Sequence, residues 1–463
     1  MLEAIEFNAD LIKRYDQTGP RYTSYPTAVS FTDDFTEQDY QQAIRHSNED
    51  PIPAPLSLYF HIPFCNTVCF YCGCNKIVTK NYSRATEYLT WLYKEIALQA
   101  ALFDPDRVVE QLHWGGGTPT FLQRDEMQDL MAETRSHFNC QEDDSRDFSI
   151  EIDPRSVSPD DVHFLGDLGF NRYSLGVQDV DIEVQQAVNR IQPVDETRAI
   201  LNACRDAGGR SINIDLIYGL PLQTTERFAK TLDTVIEMAP DRLSVFNYAH
   251  MPHRFKPQRR INVEDLPPAE EKLEILQMAI EKLSAAGYVY IGMDHFALPD
   301  DELVQAQARG ELHRNFQGYS THGNCDLIGL GVSSIGKVCD VYSQNVKDVE
   351  SYKQHLANDK LPVLRGLRLT EDDIIRRSLI QHLTCDFALD IPAFEKRNRL
   401  DFADYFAWEL NALAAMEKDD LLEISPASIK VKAKGRLLIR NICMPFDINL
   451  RTGKNTQSFS RVI

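Results

Sequence analysis

From Leu56 onward, short apolar runs alternate with amphipathic stretches. The runs Ser57–Pro63, Val109–Trp114, Phe148–Asp153, Arg172–Gln178, Ser211–Tyr218 and Leu243–Tyr248 have the length and character of strands. Between them, apolar residues return at helical spacing. Leu89, Leu92, Tyr93 and Ile96 share one face after Ser83, the expected N-cap, and Met127, Leu130 and Met131 share another. Core packing accounts for both stripes. Six strands joined by helices imply a parallel sheet with right-handed crossovers, either open and doubly wound or curled into a barrel. Both alternatives put function at the carboxyl ends of the strands, where Gly115 to Thr118, Glu151, Gln178, Asp215 and Tyr248 would converge.

The flanks break this rhythm. Up to about Pro55 the chain is irregular and aromatic-rich, and the prolines within Gly19 to Thr27 make that stretch extended. A helix from about Leu273 to Leu283 stops at Gly287, the expected C-cap, and a strand Tyr288–Met293 follows. After Thr370 the pattern turns mostly helical, with Leu421–Lys432 reading as a hairpin and Gly435–Met444 as a final helix, like a small winged-helix module. We therefore expect three segments: an N-terminal arm 1–55, a strand–helix unit with its extension 56–369, and a helical domain 370–463.

The chain has 463 residues, enough for more than one core, and a composition ordinary for a soluble globular protein. Its net charge of −20 argues against nucleic acid or an anionic membrane as the main partner, and favours a lid or docking role over DNA binding for the helical domain. No apolar run approaches the roughly 20 residues of a membrane span. Met1 to Tyr15 carries neither an apolar leader core nor an Arg-rich, acid-poor pattern, so a cytoplasmic location is expected.

Just after the first apolar run stand four cysteines, Cys65-x3-Cys69-x2-Cys72-x-Cys74. Thiols this dense in a cytosolic context read as metal ligands, and thiolates suit iron–sulfur clusters, zinc or copper(I). Three ligands spaced x3 then x2, with no second CxxC to close a tetrahedron, leave a coordination site open on a cubane cluster. Cys140, Cys204, Cys325, Cys339, Cys385 and Cys443 are scattered singly.

The cysteine loop within Tyr59-Phe-His-Ile-Pro-Phe-Cys65 to Cys74-Asn-Lys resembles the radical S-adenosylmethionine (SAM) superfamily. The segments Arg21 to Thr27, His113 to Thr120, Asn213 to Pro221, Leu243 to His250 and His313 to Tyr319 narrow the resemblance to the oxygen-independent coproporphyrinogen III oxidases, over nearly the whole chain. The resemblance implies a partial (β/α)6 radical-SAM barrel, with an N-terminal arm and a mostly helical, winged-helix-like C-terminal domain. It implies that Cys65, Cys69 and Cys72 ligate one [4Fe-4S] cluster whose fourth iron chelates SAM. Cys74 matches a required cysteine that is not a ligand; a small buried thiol is the plain alternative. Gly116, Gly117 and Thr118 match backbone that approaches SAM, and Tyr59, Tyr71, Glu151 and Ile335 match positions around it. Gln178, Arg190, Asp215 and Ala249 match a second SAM site, giving two SAM per chain; a solvated helix position for Arg190 and a cap or salt bridge for Asp215 are the alternatives.

The implied reaction is oxidative decarboxylation of the A- and B-ring propionates of coproporphyrinogen III to the vinyl groups of protoporphyrinogen IX, begun when a 5′-deoxyadenosyl radical removes a propionate hydrogen. The substrate's carboxylates call for Arg or Lys. Candidates are Arg21 and the insert Arg254, Lys256, Arg259 and Arg260, the latter alternatively a solvated loop; Phe316 and Gln317 would line the cavity, and Tyr22 and Tyr25 would cover it. A flavodoxin or ferredoxin is the usual reductant in such chemistry, and a monomer is expected. Three readings compete: a haem-binding chaperone of the same superfamily, from which Cys74 and the Arg21–Thr27 arm separate the oxidase; anaerobic haem-degrading relatives, disfavoured by the same motifs; and a structural zinc site.

Overall fold

A computed structural model of the chain describes residues 5–453 and Phe459; the parts of segments 1–55 and 370–463 that fall on 1–4, 454–458 and 460–463 lie outside the described residues. The chain forms two compact units, one of Phe31–Pro268 with Asn324–Arg368, the other of Met1–Ser30, Ala269–Gly323 and Leu369–Ile463.

In the first unit the strands are β1 Leu56–Ile62, β2 Val108–Gly116, β3 Asp147–Ile152, β4 Arg172–Gln178, β5 Ser211–Tyr218 and β6 Arg242–Asn247. They pair in parallel in sequence order, β1 beside β2 through to β5 beside β6. Helices follow the strands: α1 Ser83–Ala100, α2 Arg124–His137, α3 Pro159–Asp167, α4 Ile182–Ala187, α5 Val194–Asp206 and α6 Thr225–Met238. Leu56, Leu58, Phe60 and Ile62 on one face of β1 are buried, as are Ser57 and His61 on the other. Burial on both faces is the reason these strands read as continuous apolar runs. The predicted stripe of α1 is buried at Leu89, Leu92 and Ile96. Ser83, however, is the first helical residue and not the cap, because its hydroxyl donates to the Asn81 side chain.

The sheet continues beyond β1 into strands the hydrophobic pattern did not announce. β7 Asp326–Leu330 runs parallel to β1, and β8 Ile335–Val338, β9 Val341–Asn345 and β10 Val363–Arg368 extend it antiparallel. Glycines interrupt this stretch and weaken its strand signal. Gly329 is required by close approach: a Cβ there would lie 2.8 Å from the Ile335 carbonyl carbon. The helix α7 Val349–Ala357 precedes β10.

The second unit contains the helix Ala269–Ala285, the hairpins Val289–Gly292 with His295–Ala297 and His313–Asn315 with Gly318–Ser320, and the helix Glu371–Asp386. A three-stranded antiparallel sheet, ordered Ala388–Asp390, Ser428–Val431, Leu422–Ile424, carries the winged-helix character with helices Ile391–Asn398 and Ala407–Lys418. The predicted last helix is a 3-10 turn, Ala433–Leu438, running into Ile439–Cys443. Ile291, Leu303, Leu312, Tyr319 and Cys385 form a core cluster.

The N-terminal arm is stapled to the end of the chain within this unit. Arg440 donates to the carbonyls of Pro20 at 2.8 Å and Gly19 at 2.5 Å, and Asn441 Nδ2 to that of Tyr15 at 2.7 Å. Tyr22 and Tyr25 are 3% and 1% exposed, which corrects their expected role as a cover for substrate. The Tyr22 hydroxyl donates to Asp447 and that of Tyr25 accepts from the Ile448 amide. No helix among the described residues is long and apolar enough to cross a membrane.

Candidate functional site

The cysteine loop closes on its own base. Phe64 and Cys65 pair in parallel with Ile77 and Val78, and the Ile77 amide donates to the Pro63 carbonyl at 2.6 Å. Other segments hold the loop from outside. The Phe70 amide donates to Val188 O, Asn189 Nδ2 to Val68 O, and Gln258 Nε2 to Tyr71 O. Asn75 Nδ2 reaches Ser333 Oγ and Lys347 O, each at 2.9 Å. Gly117, just past β2, sits against the base of the loop. Its amide donates to Ile62 O, and a Cβ would lie 2.8 Å from Phe64 O, so only glycine fits.

Donors and cations surround the thiols. The Thr118 hydroxyl lies 3.5 Å from Cys65 Sγ, Arg190 Nη1 3.6 Å and Arg155 Nη2 3.7 Å from Cys69 Sγ. Asp153 bridges the two guanidiniums, at 2.6 Å from Arg155 and 3.1 Å from Arg190. Burial works against its charge, but Arg155 and Arg190 hold Asp153 below the usual carboxylate range. The Cys72 thiol is drawn down to about 5, first by a hydrogen bond from Cys74, with burial opposing and Lys76 assisting. Its partner Cys74, exposed at the surface, is correspondingly pushed up by donating that bond and by burial of the sulfur. Burial pushes Cys65 up to about 11. Among the described residues no three His, Cys, Asp or Glu side chains close on one metal ion; the loop thiols stand apart yet feel each other's charge. Soft thiolates with guanidinium and hydroxyl donors aimed at sulfur fit an anionic iron–sulfur cluster.

The ends of neighbouring strands add carboxylates. On β3, Glu151 accepts from the Gly116 amide at 3.1 Å and faces His113 Nε2 at 3.4 Å. Burial opposes its ionisation, yet His113 and the Gly116 amide keep its affinity for a proton low. Tyr59 stacks on His113 with ring centroids 5.7 Å apart and its hydroxyl meets His61 Nδ1 at 3.2 Å. On β5, Asp215 accepts from Asn213 and Ser174 and is pushed up to about 6 by burial first, with Glu151 adding to it. Gln178 ends β4 at a bulge with φ of 71°, a left-handed conformation that a site can hold under strain.

Tyr59, Gly116, Glu151, Asp215, Gln178 and Arg190 thus gather at the carboxyl face with the loop. Tyr71 packs against the cluster of Val184, Val188, Leu220, Tyr248 and Ile261, and the Ala249 carbonyl accepts from Gln258. Ile335 opens β8. Phe316 and Gln317 belong to the other unit, at the tip of the His313–Ser320 hairpin. The basic insert packs on the cysteine loop: Arg260 lies over Phe70, Arg254 over Phe255, and the Phe255 ring faces Gly73. Arg21 pairs with Asp294 at 3.6 Å in the second unit.

Sequence reasoning missed His61, His113, Asp153 and Arg155. A usable signal existed in Asp153-Pro154-Arg155 right after β3, where Asp153 caps the 3-10 turn by accepting from the Arg155 amide.

The sequence pattern of the Radical SAM superfamily matches residues 59–235, and that of the HemN C-terminal domain matches residues 369–438. The oxygen-independent coproporphyrinogen III oxidase of Pseudomonas aeruginosa is 53% identical over 463 residues, covering 100% of both chains. That of Escherichia coli is 51% identical over 462 residues, again covering 100% of both. The solved structure of the Escherichia coli coproporphyrinogen III oxidase (HemN), described as a radical SAM enzyme, superimposes with a TM-score of 0.91 at 50% identity, covering 96% of this chain and 99% of that one.

Proposed function

Because the chain belongs to the oxygen-independent coproporphyrinogen III oxidases, a family of radical SAM enzymes, we propose that it decarboxylates the A- and B-ring propionates of coproporphyrinogen III oxidatively, giving protoporphyrinogen IX. One observation carries the reading from geometry: a closed three-thiol loop at the carboxyl end of the first parallel strand, with two guanidiniums directed at Cys69. Identity over the full length supports turnover over the haem-binding-chaperone reading.

In this reading Cys65, Cys69 and Cys72 hold a [4Fe-4S] cluster, and SAM joins it beside Tyr59, Tyr71, Gly116, Gly117, Thr118, Glu151 and Ile335. When bound, these cofactors supply a primary carbon radical able to take a hydrogen from an unactivated carbon. The chain's own residues do the rest. Arg155, Arg190 and Thr118 offset the charge on the thiolates. Glu151, ionised at neutral pH, faces a cation such as the SAM ammonium. Gln178, Arg190, Asp215 and Ala249 are proposed to hold a second SAM. Of the Arg190 guanidinium, Nη1 and Nη2 are taken by Asp153 and Gly176, and the buried Nε has no partner among the described residues. Cys74 is assigned a part in turnover without ligating iron, and Phe316 and Gln317 a part in lining the substrate cavity. Residues 56–369 carry the chemistry, with 1–55 and 370–463 as its arm and helical domain. A cytoplasmic monomer reduced by a flavodoxin or ferredoxin completes the proposal.

The test is anaerobic: reconstituted protein, reductant, SAM and coproporphyrinogen III, scored for protoporphyrinogen and 5′-deoxyadenosine. Deoxyadenosine without decarboxylation would sink the substrate, and stable haem binding without turnover would favour the chaperone. Cys74→Ala is expected to keep its iron and brown colour while losing turnover. Loss of iron from this variant would make Cys74 a ligand and overturn the assignment.

A further inference from the structure

We propose that Arg314 and Gln317, with Arg21 beside them, form a carboxylate-binding subsite that takes a propionate of the tetrapyrrole; the ligand's identity rests on the oxidase reading above. Arg314 lies on the first strand of the His313–Ser320 hairpin, and Gln317 at its turn. Arg314 Nε and Nη1 and Gln317 Nε2 are all buried and have no hydrogen-bond partner among the described residues. Three unpaired nitrogen donors within one short hairpin are a costly arrangement, because buried donors are normally matched. The Arg314 guanidinium lies 4.7 Å from the centre of the Tyr319 ring, which holds its plane while leaving its N–H edges free for an acceptor.

The electrostatics point the same way. Arg440 feels the positive charges of both Arg21 and Arg314, with Asp294 as the opposing carboxylate. Burial first, and then those cations, draw Arg440 down to about 10, so it stays charged at neutral pH. Its own donors are spent on the Gly19 and Pro20 carbonyls, so it fixes the segment carrying Arg21 without needing the ligand. Arg21 is only loosely engaged, 3.6 Å from Asp294 and 39% exposed at its side chain. Three guanidiniums against one carboxylate make a positive spot in a chain of net charge −20, the local attraction an anionic tetrapyrrole needs. Asp294 sets the limit: one carboxylate of the ligand can replace it at Arg21 while Arg314 and Gln317 supply fresh donors.

A carboxylate could come from the substrate or from the methionyl end of SAM, so the test separates them. The intact, cluster-loaded protein is titrated anaerobically with coproporphyrin III, which has four propionates, and with etioporphyrin, which has none; SAM binding is measured by equilibrium dialysis. Arg314→Gln is expected to weaken coproporphyrin III binding about tenfold or more, with Arg314→Lys in between and etioporphyrin and SAM unaffected. Gln317→Leu should weaken it several-fold and serves if the arginine variant fails to fold. Wild-type affinity for coproporphyrin III in both variants overturns the subsite, and a loss of SAM instead overturns its assignment to the substrate. If the wild-type protein does not prefer coproporphyrin III to etioporphyrin, the oxidase reading itself fails, and this ligand with it.

Discussion

Replacing Glu95 by glutamine should remove the pH dependence of stability that this one buried acid imposes. Glu95 is fully buried on α1. Its carboxylate accepts from the Gly331 amide at 2.7 Å, the Tyr352 hydroxyl at 2.5 Å and Asn345 Nδ2 at 2.7 Å. Burial pushes its pKa from 4.5 up to about 7 in spite of those donors. Because the folded value lies above the unfolded one, the folded state binds the proton more tightly. The stability this brings is fully present below about 4.5 and is lost as pH rises through about 7. At roughly 1.4 kcal/mol per pH unit the loss is about 3 kcal/mol. Glutamine has no charge to desolvate, but its amide meets the Asn345 amide donor to donor, a mismatch costing about 1–3 kcal/mol at every pH. Glu95→Gln should therefore be less stable than wild type near about pH 5 and equal or more stable near about pH 8. Denaturant midpoints of the two proteins across that range test it. Parallel curves would refute the claim that Glu95 holds a proton in the fold.

Two further outcomes follow from contacts around the loop and the arm. Asp153→Asn leaves Arg155 and Arg190 without their shared carboxylate, and should lower stability by about 3–5 kcal/mol in a denaturant titration; an unchanged midpoint would mean Cys69 already satisfies both. Arg440→Gln removes the donors from the Gly19 and Pro20 carbonyls, weakening the staple by about 2 kcal/mol, so trypsin should cut after Arg14 or Arg21 roughly thirtyfold faster, with a wild-type cleavage pattern counting against it.

The six parallel strands were legible because one face of each is buried and the other mostly half-buried, and Arg172–Gln178 and Ser211–Tyr218 have the bounds their apolar runs predict. Cysteine spacing made the thiol loop legible for a different reason, since the ligand chemistry is local in sequence. What escaped was long-range. Glu95 sits in the buried stripe of α1 beside Ile96, where a lone acid reads as solvated; its three donors come from residues 331, 345 and 352. Arg155 gains meaning only when the fold sets it against Cys69, 86 residues earlier. Tyr22 and Tyr25 looked like a cover because an aromatic motif does not disclose that its partners are Asp447 and Ile448. Strands β7, β8 and β10 were lost to their own glycines, Gly329, Gly336 and Gly366, which close packing requires and strand propensity penalises.

The staple between residues 15–25 and 440–448 also sets an order of events during synthesis. A chain made from its N-terminus has every residue of the Phe31–Pro268 and Asn324–Arg368 unit in hand before Arg440 exists. The thiol loop and the sheet beneath it can therefore assemble while the arm's carbonyls still wait for their donors. Arg440, Asn441 and Asp447 reach Tyr15, Gly19, Pro20 and Tyr22 only after every residue of that unit has been made. The segment carrying Arg21 is secured at that moment, so maturation of the iron site and readiness for an anionic substrate are separate steps, and a stall before Arg440 would leave a loop able to take up iron and an arm not yet secured.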